Sequence, residues 1–333
     1  MGENEYKIAV VNSSTFGREF PELMERLEKI GPVKRFDVSP EIEGKKLAQK
    51  LDGYDFAIAS VTPNFSEEFF AAQKGLKLIA RHGIGCDNVA LEAATENDVI
   101  VTRVGGVFER DAVAELAISL IMTCVRQIVP ANRAVLAEKW EKRREFVGRE
   151  VSKMTVGIIG YGNIGSRAAE IIKEGFKCEV MAYDPNIADP VIEKNGIRAA
   201  GFEEILKEAD ILNFHASLNE DNYHFIGENE FALMKEGVII VNTARGELID
   251  SEALAEAVKS GKVAAVGVDV AEREPMLPSN PLFDLDRVVI VPHIGSYTEY
   301  SLWEMDVKMV EDVENYVAGK ELEEVVNPRV LLE

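Results

Sequence analysis

This chain reads as an α/β protein built from two parallel-sheet units, on three observations. Short apolar runs alternate with amphipathic stretches almost from end to end, the pattern of buried parallel strands covered by helices. Five such runs precede Arg103, and seven more follow Lys153 after a longer helical region. The first run of the second set leads into Gly160-x-Gly162-x-x-Gly165, a glycine turn between a strand and a helix. A length of 333 residues fits two domains.

The elements follow in order. Lys7 to Val11 (KIAVV) is a buried strand, and Phe20 to Gly31 has apolar residues at helical spacing with a terminal glycine. VKRFDV, FAIAS, LKLIARHG and VIVTRV continue as strands, with GKKLAQKLDG, SEEFFAAQKG and NVALEAATEN as the helices between them. Glu109 to Trp140 is mostly helix-forming, and Pro130 is expected to kink or end its first, strongly apolar helix. The charged stretch EKRREFVGREVSK is expected to be an exposed loop. Strands are then expected at MTVGIIG, CEVMAYD, GIRAA, ADILNFHA, GVIIVNTA, VAAVGVDV and RVVIVPHI. The last helix, Thr298 to Gly319, is expected to fold back onto the first unit, because its apolar face needs a surface to cover it.

Composition narrows the function. Hydrophobic residues make up 47%, enough for full-sized cores. The net charge of −21 argues against nucleic acid or an anionic membrane as the main partner. It leaves room for a small anionic substrate, since a local arginine can reverse the field in one cleft. Three widely spaced cysteines, Cys86, Cys124 and Cys178, with no CxxC, give neither a disulfide framework nor a zinc site and fit a reducing cytoplasm. The acidic start, MGENEY, lacks the basic residues of a signal peptide. No apolar run reaches the ~18 residues of a membrane span.

The glycine turn carries the first chemistry. Gly160 permits the tight turn, Gly162 lets backbone approach a pyrophosphate, and Gly165 allows close packing of helix on strand. The helix start at Asn163 and Ile164 offers free N–H groups and a partial positive charge to phosphates. Asp184 closes the next strand, 184 − 165 = 19 residues on, where a carboxylate accepts hydrogen bonds from ribose hydroxyls. Its charge would repel a 2′-phosphate, and no arginine follows in DPNI, so the expected cofactor is NAD rather than NADP.

The strand ends carry the second. His293 in VVIVPHIGS, Arg245 in VIIVNTARGELID, and Asp269 with Glu274 in VAAVGVDVAEREP all sit at or just beyond strand termini. In a doubly wound sheet these line one crevice. An imidazolium can protonate a carbonyl oxygen as hydride reaches its carbon, a carboxylate beside it raises its pKa, and a guanidinium binds a carboxylate and polarises a carbonyl. Arg245, Glu274 and His293 are therefore the candidate catalytic set.

Taken together, RHGIGCDNVAL, AVAELAISL, VGIIGYGNIGSR, VNTARGELIDSEAL, VGVDVAEREP and VPHIGS, in that order, make the chain resemble the D-isomer-specific 2-hydroxyacid dehydrogenase family over nearly its whole length. The resemblance implies two Rossmann-like domains. Residues 1–103 with 297–333 would form a flavodoxin-like substrate domain, and residues 104–296 an inserted NAD-binding doubly wound parallel sheet. It implies Arg245, Glu274 and His293 as the catalytic residues of an NAD-dependent enzyme of small D-2-hydroxy and 2-keto acids. Thr243, Ala244 and Asp269 would lie at the nicotinamide half of NAD, with Arg245 and His293 beside it and His215 along the cofactor cleft. Backbone N–H groups of Ile84 and Gly85 would hold the substrate carboxylate. Homodimers would form through the NAD domains, by the helix Ala112 to Val125 and the arm near Trp140, and the cleft between domains would close during turnover.

Departures from the family pattern open alternatives. Arg103 stands in RVGG where relatives often read Asn-Thr-Pro-Gly, so it could reach a second acidic group on the substrate or form an interdomain salt bridge. Ser217 stands where proline is frequent, so that loop is expected to differ. His82 could face the substrate or merely its own loop. Glu274 argues against the formate dehydrogenase branch, and the regulatory domain of long phosphoglycerate dehydrogenases, with its inhibition by serine, is not expected. The runner-up function is an NAD-sensing binding protein, like the family's corepressor relatives. Glyoxylate or hydroxypyruvate, 3-phosphoglycerate and sugar-acid derivatives all stay open as substrates, as does the physiological direction.

Overall fold

The computed structural model describes residues 6–332, so the acidic residues that open the chain lie outside the described part. The chain divides into two compact units, residues 6–109 with 297–332, and residues 110–296.

In the first unit, β1 (Ile8–Val11), β2 (Val33–Phe36), β3 (Phe56–Ala59), β4 (Leu78–Arg81) and β5 (Ile100–Arg103) pair in parallel in the order β2-β1-β3-β4-β5. Between them run α1 (Pro21–Glu28), α2 (Gly44–Lys50), α3 (Glu67–Ala72) and α4 (Leu91–Glu96). β1, β3 and β4 are buried at every residue, which is why they read as unbroken apolar runs. The period of two sorts them: Ile8 and Val10 pack with Leu23 and Leu27 of α1, whereas Ala9 and Val11 pack with Leu47 of α2 and Phe69 of α3.

The second unit opens with α5 (Arg110–Val125) and α6 (Ile128–Leu136). Its seven strands are β6 (Thr155–Ile159), β7 (Glu179–Tyr183), β8 (Arg198–Ala199), β9 (Ile211–Phe214), β10 (Val238–Asn242), β11 (Val263–Val268) and β12 (Val288–Ile290). All pair in parallel, in the order β12-β11-β10-β9-β6-β7-β8. The helices between them are α7 (Asn163–Phe176), α8 (Asp189–Glu193), α9 (Phe202–Glu208), α10 (Glu228–Leu233) and α11 (Ser251–Ser260). Strand order reverses between β6 and β9, so a crevice opens at their carboxyl ends.

The last helix, α12 (Glu299–Val317), returns to the first unit, as its apolar face requires. Met305, Met309, Val310 and Val313 join the core of Ile8, Phe56 and Leu78. Thr298 caps its start by accepting from the Ser301 N–H.

Two expectations change. The first long helix ends at Val125, before Pro130, where Gln127 takes a left-handed conformation (φ +51°). Pro130 sits in the first turn of α6, where a missing N–H costs nothing. The buried side of α5, with Ala117, Leu120, Ile121 and Cys124, packs in its own unit's core with Val156, Ile158 and Val241, while α6 and the following arm expose Ile128, Val135, Leu136, Trp140 and Val147. Arg103 pairs within its own unit: its Nε lies 3.3 Å from Oε2 of Glu324. Among the described residues no single helix is long and apolar enough to cross a membrane.

Candidate active site

The glycine turn after β6 has three distinct local causes. Gly160 has φ +93°, and a side chain there would place Cβ 2.5 Å from the Ala216 nitrogen. At Gly165 a Cβ would lie 2.0 Å from the Gly160 carbonyl oxygen, so α7 can sit this close only on glycine. At Gly162 a Cβ would meet no protein atom within 4 Å. Its absence is not needed by the fold, and it leaves a cradle over the start of α7, where Asn163 and Ile164 are the first two residues. Asp184, just past β7, accepts from the Tyr161 N–H at 2.8 Å and from the Asn186 N–H at 2.9 Å. Its carboxylate is thereby fixed at the rim of the turn.

Beside this turn the carboxyl ends of β9 and β10 carry polar groups that the protein leaves unmatched. His215 Nε2 and Thr243 Oγ1 are buried without a hydrogen-bond partner. Burial pushes His215 down to about 3, so its imidazole is neutral. Groups of this kind are rare in a native fold and call for an explanation, such as a ligand that completes them. Both fit a bound dinucleotide crossing these strand ends, as does the open cradle at Gly162.

The turn after β10 is built by a residue that sequence reasoning missed. Asn242 accepts from the Ala244 N–H at 2.9 Å and donates Nδ2 to the Arg245 carbonyl at 2.7 Å, fixing the backbone of both. An asparagine that closes a strand and folds onto the next residues is a recognisable turn signal. Arg245 Nη1 donates to the Ala244 carbonyl at 2.8 Å. Gly246 then packs so tightly that a Cβ would lie 2.0 Å from the Ala271 carbonyl carbon. This close approach puts the Arg245 turn against the segment carrying Glu274.

The third cluster holds His293. Its backbone is left-handed, φ +52°, a conformation uncommon outside glycine. The surroundings enforce it: His293 N–H donates to the Asp269 carbonyl at 2.9 Å, while the Asp269 carboxylate accepts from the N–H groups of Ile294 (2.7 Å) and Gly295 (2.8 Å). Glu274 accepts from the Ala271 N–H at 3.1 Å with one oxygen and faces His293 Nδ1 at 2.6 Å with the other. For His293, burial works against the charged form. The hydrogen bond and charge of Glu274, with the charge of Asp269, overcome burial and the opposing charge of Arg245, so its pKa stands above the ordinary value. Asp269 itself is pushed up to about 6, chiefly by burial, against the pull of the Ile294 N–H, the His293 charge and the Gly295 N–H.

The second unit thus brings Arg245, Asp269, Glu274 and His293 into one electrostatic cluster. Ile84 and Gly85 belong to the first unit, on the half-buried loop after β4. His82, just before them, is buried against Asp306 of α12.

Residues 118–295 match the family model of the D-isomer specific 2-hydroxyacid dehydrogenase NAD binding domain. The chain belongs to this family. It is 35% identical to a glyoxylate reductase of Thermococcus litoralis over 291 residues, covering 86% of this chain and 87% of the relative. It is also 35% identical to a D-3-phosphoglycerate dehydrogenase of Archaeoglobus fulgidus, over 87% of this chain, and spans 55% of that longer relative. The D-lactate dehydrogenase of Aquifex aeolicus, solved with NAD and lactic acid, superposes with a TM-score of 0.83 at 26% identity, over 94% of this chain and 96% of that one. As a D-2-hydroxyacid dehydrogenase family member, the chain takes NAD as its cofactor, and the second unit is the NAD-binding domain.

Proposed function

We propose that this D-2-hydroxyacid dehydrogenase relative interconverts a small 2-keto acid and its D-2-hydroxy acid, with Arg245, Glu274 and His293 as catalytic residues and the first unit as the substrate domain. The contact that carries the reading is His293 Nδ1 to Glu274 Oε2, 2.6 Å. With Nδ1–H committed to a carboxylate, Nε2 is the nitrogen that exchanges a proton with substrate. Bound NADH supplies the hydride to the carbonyl carbon. His293 gives its Nε2 proton to the carbonyl oxygen, so keto acid, hydride and proton together make the hydroxy acid. Arg245 holds the substrate carboxylate and polarises the carbonyl with a charge that does not titrate in the working range. By the family resemblance, the N–H groups of Ile84 and Gly85 are the substrate-binding groups proposed for the first unit. In the reverse direction neutral His293 accepts the hydroxyl proton.

Relatives named glyoxylate reductase and hydroxypyruvate reductase, the latter 37% identical over 83% of this chain, support unbranched two- and three-carbon keto acids as the first substrates to try. The test is NADH oxidation across glyoxylate, hydroxypyruvate, pyruvate and 3-phosphohydroxypyruvate. Turnover of one or more that collapses in His293→Ala, with NADH binding retained, supports the reading. Unchanged turnover in that variant overturns it.

A further inference from the structure

Asp306 is the most enclosed acidic group of the first unit, and the chemistry above does not use it. Its side chain is 1% exposed, and that of His82 only 4%. Its two oxygens do different things. Oδ1 accepts from His82 Nε2 at 2.8 Å, and Oδ2 accepts from the Gly17 N–H at 2.9 Å. Phe16 stands edge-on to the His82 ring, 5.7 Å between centroids. One carboxylate on α12 therefore ties together two loops at the carboxyl edge of the five-stranded sheet: the loop after β1, through Gly17, and the loop after β4, through His82.

Both loops have further supports, and none replaces this one. Arg35 donates to the carbonyls of Ser13 and Phe16. Arg81 donates to the His82 carbonyl, and the His82 N–H donates to Ala59 at 2.9 Å. These tie the β1 loop to β2 and the β4 loop to β3 and β4. Asp306 hydrogen-bonds both loops, beside the Phe16–His82 ring contact, and the His82 loop continues directly into Ile84 and Gly85.

We propose that Asp306, through His82, is a positioning residue for the substrate carboxylate: it sets where the Ile84 and Gly85 N–H groups stand. This rests on the reading of that loop given under Proposed function. The carboxylate serves both loops with two acceptors. In Asp306→Asn the amide oxygen can keep the Gly17 N–H while its Nδ2 donates to His82 Nε2 once the ring carries its proton on Nδ1, so the decisive variant is Asp306→Leu, which removes both acceptors and releases both loops.

Asp306→Leu is expected to raise KM for glyoxylate about tenfold or more, the size of a hydrogen bond lost to a charged group, while KM for NADH stays within about twofold. Amide hydrogen exchange at Gly17 and at residues 83–86 should quicken in the variant and nowhere in the second unit. His82→Phe keeps the ring contact with Phe16 but removes the donor, and should show the same KM split. His82→Gln, which returns an Nε2 donor, should restore KM toward the parent value. A lowered melting point with unchanged KM in both Asp306→Leu and His82→Phe would make the pair merely structural and overturn the proposal. If Asp306→Leu does not fold, the two His82 variants decide it. Absence of any turnover by the parent protein would sink the functional reading instead, and hydrogen exchange would still decide whether Asp306 couples the loops. Unaltered exchange there would overturn the coupling.

Discussion

His293 turns Nδ1 toward Glu274 Oε2 across 2.6 Å, and this contact sets both the tautomer and the charge of the imidazole. Without it, burial and the nearby Arg245 would hold the ring neutral. With it, the imidazolium persists above the ordinary histidine range.

A pH prediction follows with a definite sign. Reduction of a keto acid needs protonated His293, so its kcat/KM should be level at low pH and fall as pH rises through the raised pKa. Glu274→Gln removes the hydrogen-bonded charge that raises it, and the falling limb should move to lower pH. At pH 8 the variant should lose about 10- to 100-fold in reduction and recover part of that on acidification. The same linkage acts on stability: the contribution of the raised pKa is complete below the unfolded value of about 6.5 and disappears as pH rises through the folded value. A reduction profile with the same inflection in parent and variant would contradict this coupling.

How far the sequence reaches depends on the kind of signal. Strands such as Ile8–Val11 and Val238–Asn242 are buried on both faces, so their apolar runs are unmistakable, and the end of Val238–Asn242 marks where Arg245 belongs. Signals that depend on a distant partner are silent. Nothing near Asp306 points to His82, 224 residues away, and nothing near Arg103 points to Glu324. The break at Gln127 has no glycine to announce it, and Pro130 drew attention to the wrong place because a proline in a first helical turn looks the same in sequence as one that ends a helix. Asp269 was assigned to the nicotinamide by resemblance, while its contacts with the Ile294 and Gly295 N–H groups come from folding alone.

Two glycines of the turn, Gly162 and Gly165, should separate by mechanism. Gly165→Ala drives a Cβ into backbone 2.0 Å away and should lower thermal stability by about 1–3 kcal/mol and cofactor binding with it. Gly162→Ala meets no protein atom, so its melting point should stay within a degree or two. Its KM for NADH should nevertheless rise at least tenfold, because the added methyl occupies the cradle where the pyrophosphate approaches. Calorimetry and NADH titration of the two variants check this. Undiminished NADH binding in Gly162→Ala would place the pyrophosphate elsewhere.

Asp184 should govern the choice of coenzyme. Its carboxylate is fixed by the N–H groups of Tyr161 and Asn186 and cannot easily swing away from a 2′-phosphate. The parent should therefore favour NADH over NADPH by about 100-fold or more in kcat/KM, the scale of a like-charge contact. Asp184→Asn keeps one acceptor and removes the charge. It should lose several-fold with NADH while narrowing the gap to NADPH. Equal use of both coenzymes by the parent would refute the argument.

The arm after α5 makes the last prediction, on assembly. α6 has no buried residue, and Leu136, Trp140 and Val147 are 77%, 68% and 78% exposed within one short stretch. Ile128 and Val135 add to the same exposed surface. A soluble chain rarely leaves so many large apolar side chains together in water, and covering each contributes about 1.5–3 kcal/mol. Residues 128–153 also carry seven Lys and Arg against four Glu in a chain whose net charge is −21, so this segment complements the acidic body of a second copy. Sedimentation should therefore find the parent at twice the 36.8 kDa chain mass. Leu136→Glu combined with Trp140→Ser should shift it to the monomer with the second unit still folded by circular dichroism. A parent that sediments as a monomer at micromolar concentration, or a double variant that stays dimeric, would remove the arm from the interface.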